Sequence, residues 1–276
     1  MIGPAEVQRI AYRADVGERM VERDYVLTWV LIGLARHPVL SAVMALKGGT
    51  ALKKVYFADW RYSEDVDLTM LQVVAPELLQ AQLAEVGKAV YGETGLELAV
   101  ASSEPRWDGL RLRNVTFYLG YIGPLRRTRR QREFKLDVTF DEIIVSQPVH
   151  RPLLSTYSDE PRPAVLVPVY LLEEICAEKL RTLLQRTEPR DLYDVWRILN
   201  ECANTLDLSL VAETFQAKCR HKGLLPEDLA QALSLTQVDK IRRAWETRLA
   251  DQIAKVPPLE QVVRETRRAL RVYLVL

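Results

Sequence analysis

The stretch LKGGTALKKVYFADWRYSEDVDL, Leu46 to Leu68, carries more chemical information than any other part of this 276-residue chain. Around its end, Arg61 to Met70 alternates. Val66 and Leu68 are apolar, while Ser63, Asp65 and Asp67 fall between them, which predicts a half-buried strand. Side chains two apart on a strand share a face, so Asp65 and Asp67 point the same way. Two neighbouring carboxylates repel one another and are costly to bury unpaired. A divalent cation resolves that conflict, and magnesium prefers a few carboxylates together with phosphate oxygens and water. A bare Asp-x-Asp also fits a solvated polar face on an edge strand, so the residues around it have to decide.

Upstream, a short helical stretch ends at Lys47-Gly48-Gly49, and Thr50 to Tyr56 reads as the start of a new helix. A glycine turn opening a helix lets backbone N–H groups approach an anion, and Thr50 adds a hydroxyl. Neither GxxxxGK[ST] nor a GxGxxG after a strand is present. Downstream come three strand-like runs, Leu96–Ala101, Leu110–Ile122 and Glu133–Val145. In the last, Lys135, Asp137 and Thr139 share one face, with Phe134, Leu136, Val138 and Phe140 on the other. Asp137 is placed to be a third carboxylate, and Asp141 competes for that place.

Residues 5–36 read as helical, and Pro76 opens a helix to about Ala89. A proline-rich stretch without periodicity, about Arg151 to Val167, predicts a linker. After it everything is helical: 169–186, 189–203, 207–221, 226–234, 236–253 and 258–274. The expectation is an α+β domain over residues 1–160 and an all-α domain over 161–276.

The helical part holds a second group of interest, LLEEICAEKLRTLLQRTEPRDLYDVW, Leu171 to Trp196. Leu172, Cys176, Lys179 and Leu183 follow steps of four, three and four, which puts Lys179 within an apolar stripe. Either its stem packs while the amine snorkels outward, or the charge meets an anion, such as nucleotide phosphates across the domain cleft. Thr187 is a plausible N-cap and Pro189 falls in the first turn of the next helix, on which Asp191 and Asp194 can share a side.

A glycine turn at a helix start, an Asp-x-Asp strand and a later acidic strand are the parts of the nucleotidyltransferase fold. The run from Lys47 to Leu68 resembles, almost continuously, the first motif of the AbiEii family of nucleotidyltransferase toxins, which includes the mycobacterial MenT toxins. Ala177-Glu178-Lys179-Leu180, followed by Arg190-Asp191 and Asp194, resembles that family's later motif. The resemblance implies a polymerase-beta-type mixed-sheet domain followed by a helical domain. It implies transfer of a nucleoside monophosphate from a nucleoside triphosphate (NTP) to the 3′ end of tRNA, which blocks aminoacylation, and a cognate antitoxin as partner. Asp65, Asp67 and Asp137 would bind two Mg2+ ions. Lys47, Gly48, Gly49, Thr50 and Lys179 would hold phosphates, and Asp191 would be catalytic or organise the site. Arg61 either steadies the triphosphate or forms a structural salt bridge. Ser63 stands where some family members are phosphorylated and silenced; a phosphate there would add like charge beside Asp65 and Asp67.

Thirty-eight Lys plus Arg against thirty-seven Asp plus Glu exclude a uniformly basic coat. Local charge differs. Between Arg106 and Lys135 nine basic residues face only Asp108 and Glu133, a local charge of +7. Arg126, Arg127, Arg129, Arg130 and Arg132 cluster beside the strand of Asp137 and are the expected RNA contacts. Arg264, Arg267, Arg268 and Arg271 fit the outer face of an amphipathic helix. Two alternatives keep the same residues: transfer to a small molecule or protein hydroxyl, and a catalytically inert regulator that binds RNA or antitoxin. Cys176, Cys202 and Cys219 form no CxxC pair and suit a reducing core. MIGPAEVQRI lacks a signal-peptide layout and Tyr25–Ala35 is too short to span a bilayer, so a cytoplasmic protein is expected.

Overall fold

In the computed structural model, which describes residues 1–126 and 132–273, alternation and burial gather the strands into one sheet. They are β1 (Met44–Lys47), β2 (Val66–Met70), β3 (Glu97–Asp108), β4 (Arg111–Ile122), β5 (Arg132–Thr139), β6 (Val149–Pro152) and β7 (Leu166–Val169). Their order is β3-β4-β5-β2-β1-β7-β6. The β2–β5 and β1–β7 pairs are parallel and the others antiparallel, so the sheet is mixed.

Four strands differ from the sequence expectation. Met44–Lys47 was expected to end a helix, yet it is a strand buried along its whole length between β2 and β7. Three apolar residues and a lysine are too short a run for periodicity to separate the two states. β6 and β7 lie within or beside the expected linker, where Pro152 and Pro168 interrupt any strand pattern. β2 begins at Val66, so Asp65 belongs to the turn before it.

The helices of this unit are α1 (Pro4–Ala14), α2 (Glu18–Arg36), the single turns α3 (Leu40–Val43) and α4 (Gly48–Ala51), and α5 (Pro76–Thr94). The latter turn runs on into a π-helical turn, Leu52–Tyr56. The expected helix over 5–36 is two helices, because Asp15 adopts a left-handed φ of 51° that closes the first. α2 is buried nearly all round from Met20 to Leu34, packing on α1, α5 and β7. α5 in turn covers β3. On one sheet face Leu46, Leu68, Val138 and Val115 form a row across four strands, each at most 2% exposed. Burying such a side chain stabilises the fold by about 1.5–3 kcal/mol.

The chain divides into Met1–Glu142 with Pro148–Tyr170, and Ile143–Gln147 with Leu171 onward. The first unit thus runs past residue 160 to include β7, which pairs with β1. The second contains α6 (Leu172–Gln185), α7 (Pro189–Glu201), α8 (Leu208–His221), α9 (Leu229–Ala232), α10 (Leu235–Arg242), α11 (Trp245–Leu249) and α12 (Leu259–Tyr273). α6 packs on α7 and α8, and α7 on α11 and α12. Asp207 caps α8, its carboxylate accepting from the Leu210 N–H at 3.0 Å. The three cysteines are buried thiols outside any disulfide; burial pushes the Cys176 thiol up to about 12 and Cys219 to about 11.

Candidate active site

β1 delivers Lys47 to the glycine turn. Gly48 takes φ +72°, a conformation that favours glycine, and the turn redirects the chain into α4. A Cβ at Gly48 would fall 2.4 Å from Asp67 Oδ2, so the missing side chain leaves room for that carboxylate. Gly49 does the same for Arg61, whose guanidinium would lie 2.5 Å from a Cβ there. Arg61 is 3% exposed and also donates to the Tyr62 carbonyl at 3.2 Å. Thr50 is fully buried. Its hydroxyl bonds to the Asp65 carbonyl and shares a 2.7 Å hydrogen bond with the Ser63 hydroxyl. Farther on, buried Lys54 pairs with Asp24 of α2, and the Tyr157 hydroxyl donates to Asp24 Oδ2 at 2.6 Å. The helical segment behind the turn is therefore anchored to the core.

Strand register assembles the rest. Lys47 lies opposite Asp67, Asp67 opposite Asp137, and Asp137 opposite Thr116. Partners directly opposite on a sheet share a face, so these four residues form one polar row across β1, β2, β5 and β4. Asp67 and Asp137 are partly exposed, whereas Lys47 and Thr116 are buried. The Thr116 hydroxyl donates to Asp137 Oδ1. Asp65 Oδ1 accepts from the Lys135 backbone N–H at 3.3 Å, which brings Asp65 to β5 from its turn. Sequence reading missed Thr116; nothing singles it out in RLRNVTFYLGYI until β4 is paired with β5.

Asp141 lies beyond β5, is 2% exposed, and is paired with Arg111 at 2.7 Å and with Arg113. Of the two candidates for a third carboxylate, Asp137 is the one in register with Asp67. The same pairing occupies two arginines of the +7 window, and Arg113 also meets Asp108. Among the expected RNA contacts, Arg127, Arg129 and Arg130 lie outside the described residues. Arg126 is exposed. Arg132 is tied to Glu22 of α2, a carboxylate 2% exposed that also accepts from the Leu125 N–H at 2.8 Å.

Within the second unit, Lys179 is 8% exposed, its amine 2.7 Å from Asp191 Oδ1 and 2.9 Å from Asp194 Oδ2. Arg186 Nε lies 2.7 Å from Asp191 Oδ2. Burial alone raises the pKa of Asp191, but the charges of Lys179 and Arg186 outweigh it and hold the carboxyl far below its usual range. The amine that the sequence left between snorkelling and phosphate thus has two carboxylates one turn apart. A second cluster went unnoticed in the sequence. Lys218, fully buried, meets Glu174 Oε1 at 2.8 Å and the Ile143 carbonyl at 2.8 Å.

Among the described residues no group of three or more His, Cys, Asp or Glu side chains stands ready-formed around a metal. The donor chemistry nonetheless fits a hard divalent cation: Asp67 and Asp137 offer carboxylate oxygens from adjacent strands, with Asp65 beside them. Among the described residues no helix is long and apolar enough to cross a membrane.

Residues 30–271 match the model of a family described as nucleotidyl transferase AbiEii toxin, type IV toxin–antitoxin system. No curated protein matches the sequence. Among solved structures, the chain is similar to the nucleotidyltransferase toxin MenT4 of Mycobacterium tuberculosis H37Rv, at 19% identity over 99% of both chains with a TM-score of 0.58. It is also similar to JHP933 from Helicobacter pylori, at 17% identity over 94% of each chain with a TM-score of 0.56. At these identities the likeness is one of fold, and it agrees with the α+β nucleotidyltransferase architecture.

Proposed function

Because the chain belongs to the AbiEii nucleotidyltransferase toxins of type IV toxin–antitoxin systems, we propose that it transfers a nucleoside monophosphate from an NTP to the 3′ end of tRNA. The observation that carries this reading is the in-register pair Asp67 and Asp137, with the Gly48 turn pressed against Asp67. Asp65, Asp67 and Asp137 are the residues that would hold magnesium, which when bound neutralises charge on the attacking and leaving oxygens.

The chain's own groups supply the rest. Gly48, Gly49 and Thr50 offer backbone N–H groups and a hydroxyl to the phosphates, with Lys47 at the edge of the turn. Arg61 steadies the triphosphate from beside Gly49. The RNA 3′-oxygen attacks the α-phosphorus in line, the bond to the bridging oxygen breaks, and pyrophosphate leaves. Asp137 takes the proton of the attacking hydroxyl, its Oδ1 kept in place by Thr116. Within the second unit, Asp191 and Asp194 hold the Lys179 amine in place. Phosphorylation of Ser63 would silence the enzyme by breaking its bond with Thr50 and adding charge next to Asp65.

Purified protein incubated with each labelled NTP and total tRNA should label RNA 3′ ends with magnesium and not with EDTA. No transfer with any of the four nucleotides overturns the reading. One observation favours a smaller acceptor: Arg111, Arg113 and Arg132 are already paired with Asp141 and Glu22, so the basic window offers less charge than it counts. Neutralising Arg126, Arg127, Arg129 and Arg130 should cripple transfer to RNA and spare transfer to a small molecule or protein hydroxyl.

A further inference from the structure

The arginines of α12 recur at 264, 267, 268 and 271, the spacing that aligns side chains along one stripe of a helix. In the second unit this stripe borders a groove shared with α10, with Leu235, Val238, Val263 and Val272 among its lining and Arg242 on the α10 side. Leu235 is 78% exposed and Val272 63%, an unusual amount of aliphatic surface left in water beside four arginines. The groove's acidic residue, Glu260, is engaged by Arg242. Arg267 donates to the Leu233 carbonyl. Arg268 and Arg271 are exposed and meet no carboxylate among the described residues.

We infer that this groove is a docking site for an acidic amphipathic helix of a protein partner. Branched aliphatic side chains of such a helix would lie on the valine and leucine floor, and its carboxylates would take paired N–H donors from the arginine rim. Charge complementarity selects this occupant. A single-stranded RNA would find the arginines but no aromatic ring among the groove's described lining residues on which to stack a base. A second copy of the chain would set the same arginine stripe against itself, which is repulsive.

Fluorescence anisotropy on the full chain tests the assignment, using a labelled peptide with leucine on one helical face and glutamate on the other. The peptide should bind, and more weakly at high salt. Arg264→Glu combined with Arg268→Glu should lower affinity at least about tenfold. A peptide with lysine replacing every glutamate should fail to bind. Both arginines are exposed, so the thermal melt should be unchanged; Leu235→Asp provides a second variant that acts through the floor. The inference is overturned if the glutamate peptide does not bind, if the lysine peptide binds equally, or if the variants leave affinity unaltered. It is also overturned if a labelled uridine oligonucleotide binds, loses affinity in these variants, and the peptide does not bind. Nucleotide transfer measured on the same variants should be unaffected, which separates this outcome from the catalytic reading.

Discussion

Two sets of charges in this molecule are built on opposite terms. Across the sheet, Asp67 and Asp137 stand side by side, partly exposed, with like charge adjacent to like. Among the helices, Lys179, Asp191, Asp194 and Arg186 are gathered with opposite charges in contact, and the two aspartates are at most 1% exposed. The first leaves two carboxylates open to solvent, where a cation can reach them. The second is closed in on itself and stabilises as long as every member stays. The first set is open to solvent, and the second is buried.

The contrast is sharpest for substitutions that remove charge and keep shape. Asp137→Asn should cut nucleotide transfer by about a thousandfold while leaving the urea midpoint nearly unchanged, because a like-charge contact is relieved. If the variant unfolds at markedly lower urea, the row is structural and the contrast fails. Asp191→Ala is the mirror case. It removes one of a buried lysine's two carboxylates and should cost about 3 kcal/mol in urea unfolding, the low end for breaking one side of a buried ion cluster.

Gly48→Ala probes the join between backbone and row. The left-handed φ of +72° and the 2.4 Å approach to Asp67 should together cost about 1–3 kcal/mol and displace the carboxylate. Activity should therefore fall more than the melting temperature suggests. Acid titration separates the two regions differently. The folded-state pKa of Asp191 is depressed, so its stabilising effect is complete above the unfolded carboxylate pKa of about 4. It is lost as pH falls from there toward the folded value. The wild type should lose stability below about pH 4 more steeply than Asp191→Asn. Parallel curves would mean that the cluster contributes nothing through that carboxylate. The smallest effect is expected at Ser63. Ser63→Asp should lower transfer by about tenfold through added charge, and Ser63→Ala much less.

The sheet strands carrying the site were largely legible, because Val66 and Leu68 alternate with aspartates, and Leu136 and Val138 flank Asp137. β1 was not, since a strand buried on both faces has no alternation to read. β6 and β7 were hidden by their prolines. Asp191, Asp194 and Lys179 were all visible as residues, but their mutual pairing was not, because it depends on how α6 and α7 pack. The choice between Asp137 and Asp141 also needed register, which fixes one opposite Asp67 and leaves the other to Arg111 and Arg113.

Glu22 accepts from the Leu125 N–H and from Arg132, so a single buried carboxylate fixes both edges of the arginine-rich segment between them. The carboxylate belongs to α2, so it acts as a double clasp that ties the chain just after β4 and the first residue of β5 to one helix. Glu22→Ala would open both attachments at once, which makes this one side chain a shared hinge pin for two neighbouring strands.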